Sequence, residues 1–308
     1  MVKKVKLYQK LIDKHQIISF DIFDTLIVRP YIKPSDMFFH LEKIYSLPGF
    51  AKHRITAESA ARKKTSAEEI TYEAIYTLIN KCYKPMKEKE LMFEKRILQA
   101  NPEMLPLFQY ALENGKKVII VSDMYLSKTF LEQILNEKGY RGYFRFYLSS
   151  ELGKTKSSGS LYANILSDLR CVSSAILHIG DNRHSDYIMP RKCGIHALHY
   201  QKLAGQLCAA NKKAHAFYQK NPDSLGASIL LGIMANGRAR QRRENYFEQF
   251  GYEYGGAVIY AYLQWLREQC TKDNIEEVLF VARDGYSLHK ITQMYNNCWR
   301  EGGGGGIQ

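Results

Sequence analysis

The stretch "ISFDIFDTLIVRP", Ile18 to Pro30, decides the fold of this chain. An apolar run typical of a buried strand ends at Asp21, and Asp24 follows three residues later. A carboxylate without a partner at the end of a buried strand is costly. The pattern therefore predicts that both aspartates face a partner such as a cation, a substrate or water.

The length and composition limit which classes of protein this chain can belong to. A chain of 308 residues with 45% hydrophobic content is long enough for two domains, or for one large domain with an insertion. Its longest apolar run, Ser228 to Ala235, is far shorter than the roughly 18 residues of a membrane span. The first sixteen residues lack the apolar centre of a secretory signal and predict a short amphipathic helix. Six scattered cysteines argue against a zinc site and a disulfide framework, so we expect a cytoplasmic protein.

The net charge of +13 is unevenly distributed, with many of the basic residues between Arg191 and Gly251. Such a surface favours anionic partners, including phosphorylated metabolites, nucleic acid and acidic lipid headgroups. The charge alone does not choose among them.

The order of predicted elements indicates the fold class. Five short apolar runs predict buried strands: "IISFDIF", "KVIIVSD", "FRFYLSS", "AILHIGD" and "GIHALHY". Helical patterns separate them, among them Pro102–Asn114, Ser127–Lys138 and Gly159–Leu169. This alternation predicts an α/β fold with a Rossmann-like, doubly wound parallel sheet. Ligands of such sheets bind at the carboxyl ends of the strands, where Asp21, Ser122, Ser149 and Asp181 stand.

An all-helical insertion interrupts the alternation between Ser35 and Asn101. This connection is much longer than one crossover needs, so we expect it to fold over the catalytic edge as a lid. Within it, "SAEE", Ser66 to Glu69, has the spacing of a capping box at a helix start.

The region after Tyr200 is predicted to be mainly helical, with a basic cluster of Arg238, Arg240, Arg242 and Arg243. It then reaches a strand-like "EEVLFVARDGYSL", in which Ala282 stands two residues before Asp284. We interpret this segment, from about residue 275, as the start of a second Rossmann-like unit that has lost its catalytic residue, with an unrelated βα unit as the alternative. The glycine-rich tail is low in complexity and carries no fold prediction.

The strand ends supply the groups that phosphoryl transfer requires. These groups are a carboxylate nucleophile, an acid for the leaving oxygen, carboxylates for a divalent cation, and fixed positive charge. Asp21, Asp24 and Asp181 offer the carboxylates, and Lys154 or Lys156 offers the positive charge.

Four of these segments resemble the motifs of the haloacid dehalogenase (HAD) superfamily: "DIFDTL", the serine of "VIIVSD", a lysine ahead of "SSGSLY", and "IGDNRHSD". The resemblance covers about Ile17 to Tyr200, and four motifs in order are far more specific than any one alone. It implies a Rossmann-like catalytic core over residues 1–34 and 102–200 and a helical cap over 35–101, with a C-terminal accessory region over 201–308. It also implies Mg²⁺ as cofactor and an aspartyl-phosphate mechanism.

The resemblance also implies a role for each matching residue. Asp21 would be the nucleophile, and Asp24 would protonate the leaving group and then activate water. The implied magnesium ligands are Asp21, the Phe23 carbonyl, Asp181 and Asp186, and the implied phosphate-binding residues are Thr25, Ser122, Asp123 and Lys156. Lys156 is preferred over Lys154 because it stands six residues before Tyr162, with Lys154 left as the alternative. Asp123 has a second interpretation as a residue that orders a turn.

These roles predict a magnesium-dependent phosphatase of a small phosphorylated metabolite. Asp24 argues against dehalogenation, which needs no acid at that position. A phosphotransferase or mutase is the alternative within the superfamily, and a binding or scaffold protein on nucleic acid or an anionic membrane surface is the alternative outside it. The layout of a capped core, "SDMYL", "SSELGKTKSSGSLY" and a downstream "VARDGY" resembles that of a branch linked to bacterial surface-polysaccharide synthesis, which suggests a sugar phosphate as substrate.

Overall fold

The computed structural model describes residues 2–240 and 245–301, and describes side chains for residues 5–240 and 245–294. The chain divides into two compact units, Met1–Arg242 and Arg243–Gln308. The tail and the pair Arg242 and Arg243 of the basic cluster lie outside the described residues.

A five-stranded parallel sheet forms the centre of the first unit and confirms the predicted fold class. Its strand order is β5-β4-β1-β6-β7, and all of its pairs are parallel. Each predicted apolar run contributes one strand: β1 Ile17–Phe20, β4 Lys117–Ser122, β5 Arg145–Leu148, β6 Ile176–Gly180 and β7 His196–His199. Residues of β1, β4 and β6 are almost all buried, as expected for strands covered on both faces.

Helices cover the sheet and supply its crossovers. Amphipathic patterns place apolar side chains such as Leu107, Leu131 and Leu161 against the strands. The predicted N-terminal helix is present. The helices of this layer are α1 Val2–Asp13, α6 Leu105–Glu113, α7 Lys128–Glu137, α8 Ser149–Leu152, α9 Ser160–Leu169 and α10 Met189–Lys192.

The predicted helical insertion leaves and re-enters the core through a two-stranded antiparallel ribbon. Its strands are β2 Ile27–Val28 and β3 Gln99–Ala100, with Ile27 opposite Ala100. Between them lie α2 Asp36–Ile44, α3 Phe50–Lys64, α4 Tyr72–Leu78 and α5 Met86–Ile97. The capping-box prediction is wrong, because Ser66–Glu69 is not helical and α4 begins at Tyr72, where the side chain of Thr71 caps it.

A fully buried arginine holds the insertion together. The guanidinium of Arg54 donates to both carboxylate oxygens of Glu90, at 2.9 to 3.1 Å, and to the hydroxyl of Tyr125 at 3.1 Å. Tyr125 belongs to the loop that follows β4, so this network joins the insertion to the core. No sequence pattern predicted it.

Three helices follow the sheet within the first unit: α11 Leu203–Ala210, α12 Lys212–Lys220 and α13 Leu225–Arg240. Leu203, Leu207, Leu231 and Met234 join the main hydrophobic core, so these helices extend the same core as the sheet.

The second unit is helical where it is described, with α14 Tyr246–Phe250, α15 Gly256–Lys272 and α16 Asp284–Glu301. The predicted strand in "EEVLFVARDGYSL" is not formed. Residues 275–281 have no regular secondary structure, and α16 begins at Asp284 itself. The apolar run there has no neighbouring strand among the described residues with which to pair. Across the described residues, no helix is both long enough and apolar enough to cross a membrane.

Candidate active site

The carboxyl ends of β1, β4 and β6 open into a cleft of about 1080 Å³, and the insertion forms its other wall. The core contributes the predicted residues of the strand ends and of the loop after β5. The insertion contributes apolar and charged side chains from α2, α3 and α5. The lining includes Asp21, Phe23, Asp24, Ser122, Asp123, Lys156, Asp181 and Asp186 from the core, and Met37, Phe38, Ile55, Glu58, Arg62, Lys63 and Glu94 from the insertion.

A buried lysine lies at the centre of the cleft floor. The Nζ atom of Lys156 is 2.6 Å from Oδ1 of Asp21 and 2.6 Å from Oδ1 of Asp186, and all three side chains are less than a tenth exposed. Burial alone would lower the pKa of Lys156, but Asp186 and Asp21 hold it well above its usual value. The lysine is therefore a fixed positive charge. The other predicted candidate, Lys154, donates instead to Asn164 of α9.

A tight turn brings Asp24 back to the edge where Asp21 stands. The backbone N–H of Asp24 donates to the carbonyl of Ile27 at 2.8 Å, and the N–H of Ile27 donates to Ile22 at 2.9 Å. Asp24 adopts the left-handed region with φ of 57°, which aspartate tolerates better than most residues. Its carboxylate is 3.8 Å from the ammonium of Lys202. The turn thus places two carboxylates on one cleft.

The same turn removes Thr25 from the cleft. Its side chain is fully buried, and within the described part of the chain its Oγ1 has no hydrogen-bond partner. Thr25 is not among the residues that line the cleft, unlike the other residues predicted to bind phosphate, Ser122, Asp123 and Lys156. The reason is the turn itself, which directs Thr25 into the protein, whereas its neighbours Phe23 and Asp24 line the cleft.

Asp21, Asp181 and Asp186 form a cluster in which one carboxylate oxygen of each lies within 4.8 Å of the others. Burial, followed by the charge of Asp186 and despite Lys156, raises the pKa of Asp21 to about 7. Burial together with the charges of Asp21, Asp24 and Asp186 raises the pKa of Asp181 to about 8. Among the described side chains, the ammonium of Lys156 pairs with Asp21 and Asp186 and not with Asp181, so the three carboxylates carry more negative charge than this lysine neutralises. This excess negative charge lies on carboxylate oxygens, which are the ligands that a hard divalent cation such as Mg²⁺ prefers.

Asp186 is held in place by several donors. Besides Lys156, it accepts from the backbone N–H of Asn182 at 2.9 Å and lies 3.2 Å from Nε2 of His178. Its Cγ packs so closely on Gly180 that a Cβ at that position would lie 2.5 Å away. Burial favours the protonated form, but Lys156 and His178 outweigh it and hold the pKa of Asp186 well below its usual value. Asp186 is thus a permanent anion facing the lysine.

His178 is a core histidine. The ring is fully buried, its Nδ1 lies 2.7 Å from Oγ of Ser19, and burial lowers its pKa. A neutral ring whose Nε2–H donates to Asp186 must accept at Nδ1, so the hydroxyl of Ser19 donates to it. This chain fixes the orientation of Asp186.

Asp123 orders the loop that carries the lysine. Its carboxylate accepts from the backbone N–H of Lys156 at 2.8 Å and from that of Ser157 at 3.3 Å. The structure therefore gives Asp123 the turn-ordering contacts that were one of its two interpretations, although it also lines the cleft.

Glu68, in the connection between α3 and α4, contacts the lysine loop from the insertion. One oxygen of its carboxylate accepts from the N–H of Thr155 at 2.9 Å and from the hydroxyls of Ser158 and Ser160, each at 2.6 Å. These hydrogen bonds lower the pKa of Glu68 to about 2. The position of Lys156 therefore depends on the core through Asp123 and on the insertion through Glu68. No sequence pattern predicted this contact.

Arg29 is a cleft residue that sequence reasoning missed. Its guanidinium pairs with Glu94 of α5 at 2.5 Å and lies 4.2 Å from the ring centroid of Phe23. It follows β2 directly, at the point where the chain enters the insertion.

Two further polar residues of the motifs differ in position. Ser122 ends β4 and is almost fully buried on the cleft wall. Arg183 is exposed and is not among the residues that line the cleft.

No protein-family model and no curated protein matches the sequence. Solved structures that the chain resembles include a 2-haloacid dehalogenase from Pseudomonas syringae, at 15% identity and a TM-score of 0.44, over 60% of this chain and 86% of that one. They also include a HAD-like family hydrolase from Xanthomonas campestris, at 15% identity and a TM-score of 0.44, over 61% and 82%.

A HAD family enzyme from Bacteroides thetaiotaomicron is a third similar structure. It is a mutant in complex with magnesium and inorganic phosphate, at 12% identity and a TM-score of 0.43, over 61% of this chain and 95% of that one. The similar structures are thus HAD-family hydrolases, the class that the four motifs predicted.

Proposed function

We propose that this protein is a magnesium-dependent phosphatase of a small phosphorylated metabolite that works through an aspartyl-phosphate intermediate. The observation that carries the proposal is the convergence of Asp21, Asp24, Lys156 and Asp181 on one cleft, with the lysine ammonium 2.6 Å from Asp21. A nucleophile, an acid, a fixed positive charge and a cation site are the parts that phosphoryl transfer needs.

In the first half of the reaction, a carboxylate oxygen of Asp21 attacks phosphorus while the bond from phosphorus to the leaving oxygen breaks. Asp24 gives its proton to that oxygen, so an alcohol leaves. In the second half, Asp24 takes a proton from water as the water attacks the aspartyl-phosphate. Inorganic phosphate is released and the carboxylate of Asp21 is regenerated.

Lys156 and Ser122 would hold the oxygens of the transferring group. Asp21 and Asp181 would hold the magnesium ion, with the Phe23 carbonyl beside them and with Asp186 fixing the lysine from the other side. When bound, the ion neutralises negative charge that develops on the phosphoryl oxygens.

We further propose that the insertion is a cap that selects the substrate, because α2, α3 and α5 form the wall opposite the catalytic residues. A closed cap also excludes bulk water from the reaction. Sugar phosphates are the first substrates to try, since the layout of the motifs resembles that of a branch linked to polysaccharide synthesis.

A screen of wild type and Asp21→Asn against sugar phosphates, nucleotides and polyol phosphates, with and without magnesium, tests the proposal. We expect magnesium-dependent phosphate release from wild type and none from Asp21→Asn. Equal turnover by the two proteins, or none by wild type across the panel, contradicts it. A 2-haloacid in the panel tests dehalogenation, which the presence of Asp24 argues against.

A phosphotransferase or mutase would use the same four residues with an alcohol in place of water. Incorporation of ¹⁸O from labelled water into the released phosphate distinguishes hydrolysis from transfer. The scaffold alternative rests on the basic cluster, in which the side chain of Arg240 donates to Gln99 within the same unit. Retention on nucleic acid or anionic vesicles no better than that of a charge-matched control would exclude this alternative.

A further inference from the structure

Helix α13 packs directly on the segment through which the chain enters the insertion. Gly232 faces the backbone of Pro30 and Tyr31 so closely that a Cβ at this position would lie 2.6 Å from the carbonyl oxygen of Pro30. Only glycine permits two backbones to approach in this way. The contact is backbone against backbone, so no flexible side chain can yield to relieve it.

Two polar side chains on the same face of α13 bind this entry segment. The Oγ of Ser228 accepts from the N–H of Ile32 at 2.9 Å, and Nδ2 of Asn236 donates to the carbonyl of Arg29 at 3.2 Å. Both side chains are buried, at 1% and 6% exposure. Ser228, Gly232 and Asn236 are spaced four residues apart, so they form one stripe along the helix.

The end of α13 reaches the segment through which the chain leaves the insertion. Arg240 donates to the side-chain oxygen of Gln99 at 2.6 Å. Gln99 belongs to β3, whose pairing with β2 joins the two connecting segments. One helix therefore contacts both connections between the core and the insertion.

The entry segment carries a cleft residue. The carbonyl of Arg29 is the group that Asn236 binds, and the side chain of Arg29 pairs with Glu94 of α5 above the ring of Phe23. A shift of α13 would therefore move Arg29 together with its contacts in the insertion and in the first catalytic loop.

We propose that α13 is a brace that fixes the insertion relative to the catalytic edge, and that Ser228, Gly232 and Asn236 are positioning residues for Arg29. The kinetic part of this inference rests on the proposed phosphatase function, whereas the structural part does not. The brace would be the role of α13 within the region that follows Tyr200.

The chain offers a matched pair of variants to test the brace. Gly226 lies on the same helix, and a Cβ there would meet nothing closer than Oγ of Ser224 at 3.9 Å. Both variants add one methyl group to α13, Gly226→Ala in its first turn and Gly232→Ala in its interior, but only Gly232→Ala forces α13 away from Pro30. We expect kcat/KM to fall by about tenfold or more in Gly232→Ala, because small displacements of positioning groups are costly, and to stay at the wild-type level in Gly226→Ala.

Amide hydrogen exchange gives a readout that needs no substrate. We expect faster exchange in residues 29–33 and 99–101 of Gly232→Ala than of Gly226→Ala. If Gly232→Ala unfolds, Ser228→Ala tests the same contact, since it removes the acceptor of the Ile32 amide and should speed the exchange of that amide. Exchange at the level of Gly226→Ala overturns the brace, and faster exchange with unchanged kcat/KM overturns the positioning role. Should wild type hydrolyse no phosphate ester, the proposed function fails while the exchange comparison still decides the brace.

Discussion

The ammonium group of Lys156 lies 2.6 Å from Asp21 and 2.6 Å from Asp186, and it is the cation that touches both. The two carboxylates differ in what else surrounds them. Asp186 also accepts from His178 and from the backbone of Asn182, whereas Asp21 accepts a backbone hydrogen bond from Ile22 and its side chain is slightly more exposed, at 8% against 1%. The lysine thus has one partner that anchors it and one partner beside which the reaction would occur.

Replacing this lysine should affect both stability and rate. In Lys156→Met two buried carboxylates lose their cation, and removal of one partner of a buried pair costs roughly 3–5 kcal/mol of unfolding free energy. The loss of a charge aimed at the phosphoryl oxygens should lower kcat by about 10²–10³-fold. Urea unfolding and steady-state kinetics measure the two effects. Lys154→Met is the control, and equal effects of the two variants would contradict the assignment of Lys156.

The raised pKa values of Asp21 and Asp181 predict how stability depends on pH without metal. The two groups change from an ordinary pKa of 3.8 to about 7 and about 8 on folding, so between these values the folded protein holds more protons than the unfolded chain. The contribution of these two groups to the free energy of unfolding therefore falls as pH rises through this window, and it outweighs the opposing contribution of one histidine, His178, whose lowered pKa makes stability rise near its ordinary value of 6.5. Asp186, whose pKa is lowered, contributes stability that is already fully present above its unfolded pKa and leaves this slope unchanged.

Thermal unfolding at pH 5 and pH 8 in EDTA, with and without added magnesium, measures this dependence. We expect a lower Tm at pH 8 in EDTA and a recovery with magnesium at pH 8. Asp181→Asn should show a flatter pH dependence and a smaller response to magnesium. A variant that follows wild type in both respects would refute the cation site.

The contact of Glu68 with the lysine loop predicts a kinetic effect with little loss of stability. Glu68 is exposed, so Glu68→Ala should cost no more than about 1 kcal/mol of unfolding free energy. The loop that carries Lys156 would lose the acceptor for the N–H of Thr155 and the hydroxyls of Ser158 and Ser160, and we expect kcat to fall roughly tenfold. Glu73→Ala removes another exposed carboxylate of the insertion and should leave kcat unchanged. A fall of the same size in both variants would show that the loop does not depend on Glu68.

The buried arginine of the insertion predicts a large stability effect. Arg54→Met leaves Glu90 buried without its bidentate partner, and we expect a loss of roughly 3–5 kcal/mol in urea unfolding. Lys87→Met breaks the exposed pair with Glu73 and should cost about 1 kcal/mol or less. Similar losses in these two variants would mean that the Arg54 network does not support the fold.

The sheet and the polar residues at its carboxyl edge were predictable because they depend on local patterns. Apolar runs bounded by polar residues located all five strands, and the strand ends located Asp21, Ser122 and Asp181. The parallel order then brings those ends together without further information.

The remaining features depend on the path of the backbone in three dimensions. The turn at Asp24 directs Thr25 into the protein, and the choice of Lys156 over Lys154 depends on which side of one loop faces Asp21. "SAEE" has the spacing of a helix start, but its glutamates contact the core instead. The apolar run at 275–281 has the composition of a strand, but among the residues that the structure describes no strand lies beside it. Long-range contacts decide each of these cases.

The close packing of Gly180 against Asp186 explains why a glycine stands in "IGD". The space that a single methyl group would take at position 180 is already filled by the carboxyl group that anchors Lys156. Even a substitution as small as alanine at Gly180 would therefore push on the lysine through Asp186 without touching any group that reacts. The effect of substitutions at Gly180 thus measures how much space is left around Asp186 and Lys156. An alanine at position 180 would fit only if the side chain at position 186 were shorter or displaced.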